Sequence, residues 1–547
     1  MRRPALLAAT IYVIALAVRF LPLLYSPLPY NIDGFSLVNI AERTQASGHL
    51  LPAMNDPNLA NYKVPAFATL LTELSDVTGV PALTLVQPVI PILTATSILA
   101  IFVLVRRLTK SDAAAGAAGL WLALEGTYVF STATAIKASL AFALVPLVLL
   151  LYWGRADPRK RGLAALLLVF LPWVHHGSSL LAFSIVTLLL AADAAAWWRS
   201  GTLTWRRLVI EIGLGPALLI PGLLWYNFVD LMYLRQVNDP RQILLFLSVL
   251  FLAALLVVRL SRPTRAVAWL RGGRASRGWR RILDAKLLVP IGALAVLAAN
   301  AQGSVFAGTI RTKPAVFLAA APLVALVLVA VVGFNLLRHA RTPYRPLAAA
   351  LLLGPLAVMG FAFLRGLDPL SHVLMYRSAP YLAVGFALCA GVGIAVALAR
   401  IRSPARRAAL VVGLAALLAL TLPLGYSSEA LYDVENGTAS YEFAAMTRLR
   451  GFGPEYVGAD QRISSTMSWY FLQRGDGLAP RAVDAGSSLQ AYDFLFIQSL
   501  WSAQGAQQHP FPNLVVDSAK LAPVLEGNDV VYSVRSPIGD AAIVRLR

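Results

Sequence analysis

Apolar runs of about 20 residues recur along almost the whole of this chain, and nothing constrains its fold more. A helical run of that length matches the hydrocarbon thickness of a bilayer. In lipid every backbone N–H and C=O needs a partner inside the protein, so only helices or a closed barrel can cross. These runs are continuous rather than alternating, which selects helices. Of 547 residues, 58% are hydrophobic and 14% are charged. The chain therefore reads as a multi-pass α-helical membrane protein. About thirteen transmembrane helices are expected by this yardstick. They lie near 4–25, 85–105, 113–132, 138–154, 162–174, 178–198, 209–228, 243–258, 287–301, 314–337, 347–364, 381–399 and 408–425. The fifth is short enough to be a re-entrant segment instead.

A net charge of +20 would suggest nucleic acid in a soluble protein. Here the arginines fall mostly in short loops between apolar runs, where they set orientation, and no nucleic-acid partner is expected. The stretches 106–110, 155–161, 199–207, 259–286, 338–345 and 400–407 are basic and so cytoplasmic. Even the densest, 259–286 with its eight arginines, reads better as an orientation signal than as a nucleic-acid patch. The two stretches 155–161 and 199–207 must be joined by an even number of crossings, which favours two short spans meeting at HHGSS (175–179). The expected protein sits in the cell membrane with its N-terminus cytoplasmic and its C-terminus outside. Cys389 lies within an apolar run, so no disulfide framework exists. The first run is longer than a signal-peptide core and no small-residue cleavage site follows, so it reads as a retained span.

Two soluble parts are expected outside. One is the first loop, 26–84, within a membrane domain spanning 1–425. Its stretch FSLVNIAERTQASGHL has helical spacing and a polar face, suggesting a helix lying along the membrane surface. PAFATLLTELSDVTGV suggests a second, entered through Pro65 and ended near Gly79. The other part is the tail, 426–547, which mixes the helical SYEFAAMTRLRGF with strand-like EYVGAD, AYDFLFIQ, NDVVYSV and AAIVRL. It reads as a small α/β domain.

Asp33 is the first acid after the first span. A carboxylate at the mouth of a helical bundle is costly and marks function by default. Two roles are open to it: capping a helix that begins near Phe35, or acting as a general base or acceptor-binding carboxylate. His175 and His176 are adjacent and so point in different directions, a poor metal pair by themselves. They suit a polar helix end, a phosphate contact, or a metal site completed by Asp33 and Asp56. Asp56, in NDPN, is a turn residue or a second acid. Glu125 falls within the third expected span and should face the bundle interior. His49 and Lys63 are candidates for lining the first loop's side of the site. No Walker, GxGxxG, HExxH or CxxC pattern is present. Asn436-Gly437-Thr438 is an N-glycosylation sequon in a segment expected outside.

Arg19 in the first span, Asp33 fourteen residues on, a stretch ending in SGHLLP, then NYKVPAFATLLTELSDVTGV and a second span closing in VRRL resemble the opening of the GT-C superfamily. These are membrane glycosyltransferases, and the likeness is to protein O-mannosyltransferases, aminoarabinose transferases and the catalytic subunit of oligosaccharyltransferases. The resemblance covers roughly the first 110 residues in detail and the rest in layout. It implies a polyprenyl-phosphate-linked sugar as donor and Asp33 in the catalytic position. Lys137, in TATAIKASL, and Arg377, in HVLMYRSAPYL, stand where the family places cations for the lipid phosphate. Their alternative is interfacial anchoring of a long side chain. His372 is an auxiliary candidate beside Arg377. Two features depart from the pattern. Gly34 follows Asp33, where many O-mannosyltransferase-like members carry Glu. No WWDYG occurs in the tail, and MSWYFLQRGDG (467–477) does not replace it, so a lipid-linked monosaccharide transferase is expected rather than N-glycan transfer.

The expected function is thus an inverting, polyprenyl-phosphate-sugar-dependent glycosyltransferase at the outer membrane face, with membrane lipids as surroundings and a protein, lipid or glycan acceptor. A divalent metal is a candidate cofactor. The competing function is a transporter or flippase of a lipid-linked envelope precursor, which would favour broken midplane helices and internal symmetry. A structural envelope subunit, with Asp33 dispensable, is a third.

Overall fold

The computed structural model describes residues 2–50, 58, 62, 64–228, 239–261, 291–292, 294–303, 305, 311–339, 345–427, 431, 437–508, 511–537 and 539–547. The chain enters through α1 (Arg2–Arg19), then forms α2 (Ile32–Ser47) and α3 (Ala66–Thr78) in the first loop. The bundle continues with α4 (Ala82–Thr109), α5 (Asp112–Leu124), α6 (Gly126–Ala133), α7 (Lys137–Trp153), α8 (Pro158–Val174) and α9 (His176–Arg199). After α10 (Trp205–Gly213) come α11 (Pro240–Leu260), α12 (Pro314–His339), α13 (Arg345–Arg365), α14 (Pro369–Arg400) and α15 (Pro404–Ala419).

Among the described residues nine helical stretches are long and apolar enough to cross a membrane, ten if α5 and α6 form one bent span. The other expected spans are α7 and α8, of 17 residues each, and 287–301, of which only part is described. The polytopic helical class stands. α14 lies at the centre, packed on α5, α12 and α13. It crosses α12 so closely that a Cβ on Gly333 would sit 1.7 Å from the Cys389 carbonyl oxygen. Small residues permit such approach where lipid offers no hydrophobic drive between helices.

The third span is broken rather than straight. It bends by 64° between α5 and α6, and Glu125 sits at the break as the cap of α6, its carboxylate accepting from the N–H groups of Thr127 (3.1 Å) and Tyr128 (2.9 Å). The last carbonyls of α5 would be stranded there, at several kcal/mol each in lipid. Arg19 answers them. Its buried guanidinium donates to Leu122 O (3.0 Å), Ala123 O (3.4 Å), Ala15 O (3.1 Å) and the Thr132 hydroxyl (2.9 Å). Glu125 does face the interior, but as a capping residue.

The tail is a small α/β domain, as expected. β1 (Val457–Gly458) lies between β2 (Gly475–Asp476) and β3 (Phe494–Gln498), parallel to both. β7 (Gly539–Arg545) joins β3 antiparallel, and β6 (Asp529–Ser536) closes the sheet antiparallel to β7. A separate hairpin pairs β4 (Ala506–Gln508) with β5 (Phe511–Leu514). α16 (Ser440–Gly451) and α17 (Gln461–Trp469) pack on the sheet. They are pinned by a fully buried fork of Arg462 on Glu442, with contacts of 2.8 and 2.5 Å. Breaking such a buried pair would leave an uncompensated charge, which is strongly destabilising.

The first-loop helices form where expected, α3 following Pro65 and ending at Gly79. α2, however, is not a half-wet surface helix. Every residue from Gly34 to Ala41 is buried, because α2 has partners on both flanks. α3 and α4 cover one side and α17 the other. Phe35 packs on Phe443 (5.7 Å between rings) and Tyr470 (5.9 Å) of the tail, burial worth about 2 kcal/mol. The polar residues that looked solvent-facing bond to the tail instead. Asn39 donates to Tyr470 O (2.9 Å), and Ser36 donates to Asn58 (2.6 Å), which donates to Trp469 O (2.7 Å).

Candidate active site

α2 begins at Ile32 with Asn31 as its cap: the Asn31 side chain accepts from the Asp33 N–H at 3.0 Å. Capping therefore falls to Asn31, and the Asp33 carboxylate accepts no hydrogen bond among the described residues. Asn31 takes φ 136° and ψ 144°, a region that residues with a Cβ rarely enter and that recurs at functional sites. The turn is held from both sides, by Tyr30 N–H donating to Gln87 (2.7 Å) and by Ala135 N–H donating to Tyr30 O (3.1 Å).

That second bond places Asp33 beside the start of α7. Lys137, the first residue of α7, lies within electrostatic reach of Asp33 and of Arg377. Arg377, on the third turn of α14, brings a guanidinium nitrogen to 3.3 Å from His175 Nε2. His176 feels the charges of both Arg377 and Lys137, and its ring stands 4.8 Å from that of His175. Asp33, Lys137, His176 and Arg377 are each partly exposed, while His175 is buried behind them. Four segments far apart in sequence thus converge on one charged, partly buried cluster.

His175 is fixed by the helix it starts. As the cap of α9, its Nδ1 accepts from the Ser178 N–H (3.1 Å) and lies 2.8 Å from the Ser178 hydroxyl, which in turn accepts from Tyr381 (2.6 Å). With Nδ1 an acceptor, the proton of the neutral ring sits on Nε2. The Nε2–H and the Arg377 guanidinium are then two donors side by side. An oxygen acceptor between them satisfies both.

The sequence-selected residues divide cleanly. Asp33, Lys137, His175, His176 and Arg377 come together. α8 and α9 do meet at the histidine pair. His372 lies five residues before Arg377, roughly 140° around the helix, and packs on Tyr376 at 5.5 Å. His49 lies in an exposed turn, its Nδ1 2.7 Å from Ser47 O. Asp56 and Lys63 lie outside the described residues, as do Asn436 of the sequon and 262–286 of the basic block. Sequence reasoning missed Asn31, Ser178 and Tyr381. The spacing His175-x-x-Ser178, a side-chain cap three residues ahead, was the available signal for the second.

No three His, Cys, Asp or Glu side chains among the described residues group as a metal site. The two imidazoles stand beside two cations, Lys137 and Arg377, whose charge opposes that of a metal ion. Among the described residues the donor set does not fit a divalent metal; Asp56, the other acid of that expected site, lies outside them.

No protein-family model and no curated protein sequence matches the chain. The fold is similar to that of the Archaeoglobus fulgidus oligosaccharyltransferase, solved in complex with Zn and sulfate. The TM-score is 0.51 at 13% identity, over 98% of this chain and 73% of that one. ArnT from Cupriavidus metallidurans, bound to undecaprenyl phosphate, aligns over 98% of both chains at 14% identity and TM-score 0.37. Its apo structure gives 0.35 at 13% identity, over 98% and 97%. The first likeness speaks for the fold alone, a multi-pass helical membrane bundle followed by a small α/β domain.

Proposed function

We propose that this protein is an inverting glycosyltransferase that takes a sugar from a polyprenyl-phosphate-linked donor at the outer membrane face. The observation that supports the reading is the convergence of a carboxylate, Asp33, whose side chain accepts no hydrogen bond among the described residues, with the cations Lys137 and Arg377 in a GT-C-type fold. Asp33 takes the proton of the acceptor hydroxyl as its oxygen attacks the anomeric carbon. The bond from that carbon to the phosphate oxygen breaks, and the polyprenyl phosphate leaves with the electron pair. Arg377 and Lys137 stabilise the charge gathering on it. The Nε2–H of His175 donates to the same group, which resolves the facing donors. First-loop helices and tail roof the site.

Asp33→Asn tests this directly, because Asn31 still caps α2 and the fold is undisturbed. With a polyprenyl-phosphate sugar and an acceptor extract, the variant is expected to bind donor but lose transfer by roughly 100-fold or more, the scale of a general base. Full transfer by Asp33→Asn removes Asp33 from the chemistry. Absence of a transfer product from the native protein, with donor translocated instead, would favour the transporter.

A further inference from the structure

At the far end of α9 from His175 lies a second charged feature. α9 has 24 residues and rises about 36 Å, so its two ends fall in opposite leaflets. After Arg199 the chain turns through 200–204 into α10, which begins the apolar stretch Trp205–Leu224. Against this turn sits a hollow of about 250 Å³ lined by Arg161, Thr204, Arg206, Arg207, Ile210 and Glu211.

The charges here do not cancel. Two acids are present and both are already held. Arg155 bridges Asp193 and Glu211, the latter at 2.7 Å, while Arg161 adds a contact of 3.4 Å to Glu211 and donates to Arg155 O at 3.0 Å. Glu211 is nine-tenths buried under this pair. The guanidinium carbon of Arg207 lies 3.9 Å from the centre of the Trp197 ring, a cation–π contact, and the side chain stays exposed. Arg206 is exposed and makes no ion pair or hydrogen bond through its side chain among the described residues. The rim thus holds two arginines in surplus over its acids.

Its surroundings are those of a bilayer surface. Trp198 and Trp205 flank the turn at 76% and 81% exposure, and Val209 and Ile212 are exposed on α10. Tryptophans of this kind sit at headgroup level, with aliphatic neighbours among the acyl chains. A soluble anion would need the arginines alone. A phospholipid uses the arginines and the apolar face together.

We infer that this hollow binds the phosphodiester headgroup of an anionic phospholipid in the leaflet opposite the Asp33 site. Arg206 and Arg207 hold the phosphate, the fork of Arg207 fixed by Trp197. Trp205 and the aliphatic face of α10 lie against the acyl chains.

The test uses full-length protein in phosphatidylcholine nanodiscs, titrated with phosphatidylglycerol and read by native mass spectrometry. Arg206→Gln with Arg207→Gln is expected to weaken phosphatidylglycerol binding roughly 10- to 30-fold and leave phosphatidylcholine binding unchanged. Inorganic phosphate in tenfold excess should not displace the lipid. Equal phosphatidylglycerol binding by variant and native protein overturns the inference, and so does displacement by inorganic phosphate, which would make the hollow a free-anion site. If the double variant melts lower in phosphatidylcholine alone, Arg206→Gln carries the same comparison, since that side chain holds nothing else in place. The readout is independent of sugar transfer.

Discussion

At the scale of single residues, the arrangement around Arg377 separates two roles a basic side chain can play. An anchor needs only charge, whereas a ligand to phosphate beside His175 needs a fork at a fixed place. Arg377→Lys should keep part of the use of the lipid-linked sugar and Arg377→Ala should lose most of it. Removing one charged partner from a desolvated phosphate costs about 2–5 kcal/mol, read as a rise in donor KM. Equal, unimpaired donor use by both would return Arg377 to anchoring. Asp33, Lys137, His175, His176 and Arg377 were legible because charge stands out in an apolar chain. Asn31 was not, since an asparagine two residues before an acid has no reason to be singled out until the helix start is seen. The missing second acid after Asp33 also has a physical cause. A Cβ at Gly34 would lie 2.6 Å from that of Pro29 and 2.7 Å from that of Ala135, so this chain has no room for a glutamate there.

At the scale of elements, α2 shows where periodicity stops being informative. Spacing places it on a helix, but cannot say whether Ser36 and Asn39 meet water or another part of the chain. Glu42, on the same helix, carries this into a prediction. Its carboxylate takes a hydrogen bond from Tyr470 of the tail, yet burial outweighs that bond and lifts the carboxyl above its ordinary value. Burial and the nearby Glu42 charge together push the Tyr470 hydroxyl up to about 12. The folded state therefore holds the Glu42 proton more tightly than the unfolded one. Stability falls as pH rises from the ordinary carboxyl value through the raised one, and the loss is complete above it. Glu42→Gln keeps the contact without the charge. The variant should melt higher than the native protein at pH 7 and lose that advantage near about pH 4, followed by thermal scans in one detergent.

At the scale of the whole molecule, the helical class and the α/β tail were readable from run length and strand pattern, while the broken third span was not. Its break depends on Arg19 reaching carbonyls a hundred residues away, which no local pattern reports. Charge predicts the sidedness. Since Cys389 is buried, thiols introduced at Ala519→Cys in the tail and Ser200→Cys between α9 and α10 can be labelled against a quiet background. Ala519→Cys should react in intact cells and Ser200→Cys only after permeabilisation; the reverse pattern would invert the protein and place the Asp33 surface inside. The cover on α2 also sets a clock. The helix carrying Asp33 leaves the ribosome before every span that follows it, but Phe443, Trp469 and Tyr470, which close over it, leave after all of them. The ring of Phe35 must wait through the insertion of every later span for its partner. A chain halted at the end of α15 would have these spans threaded through the membrane and still be unfinished at its first loop.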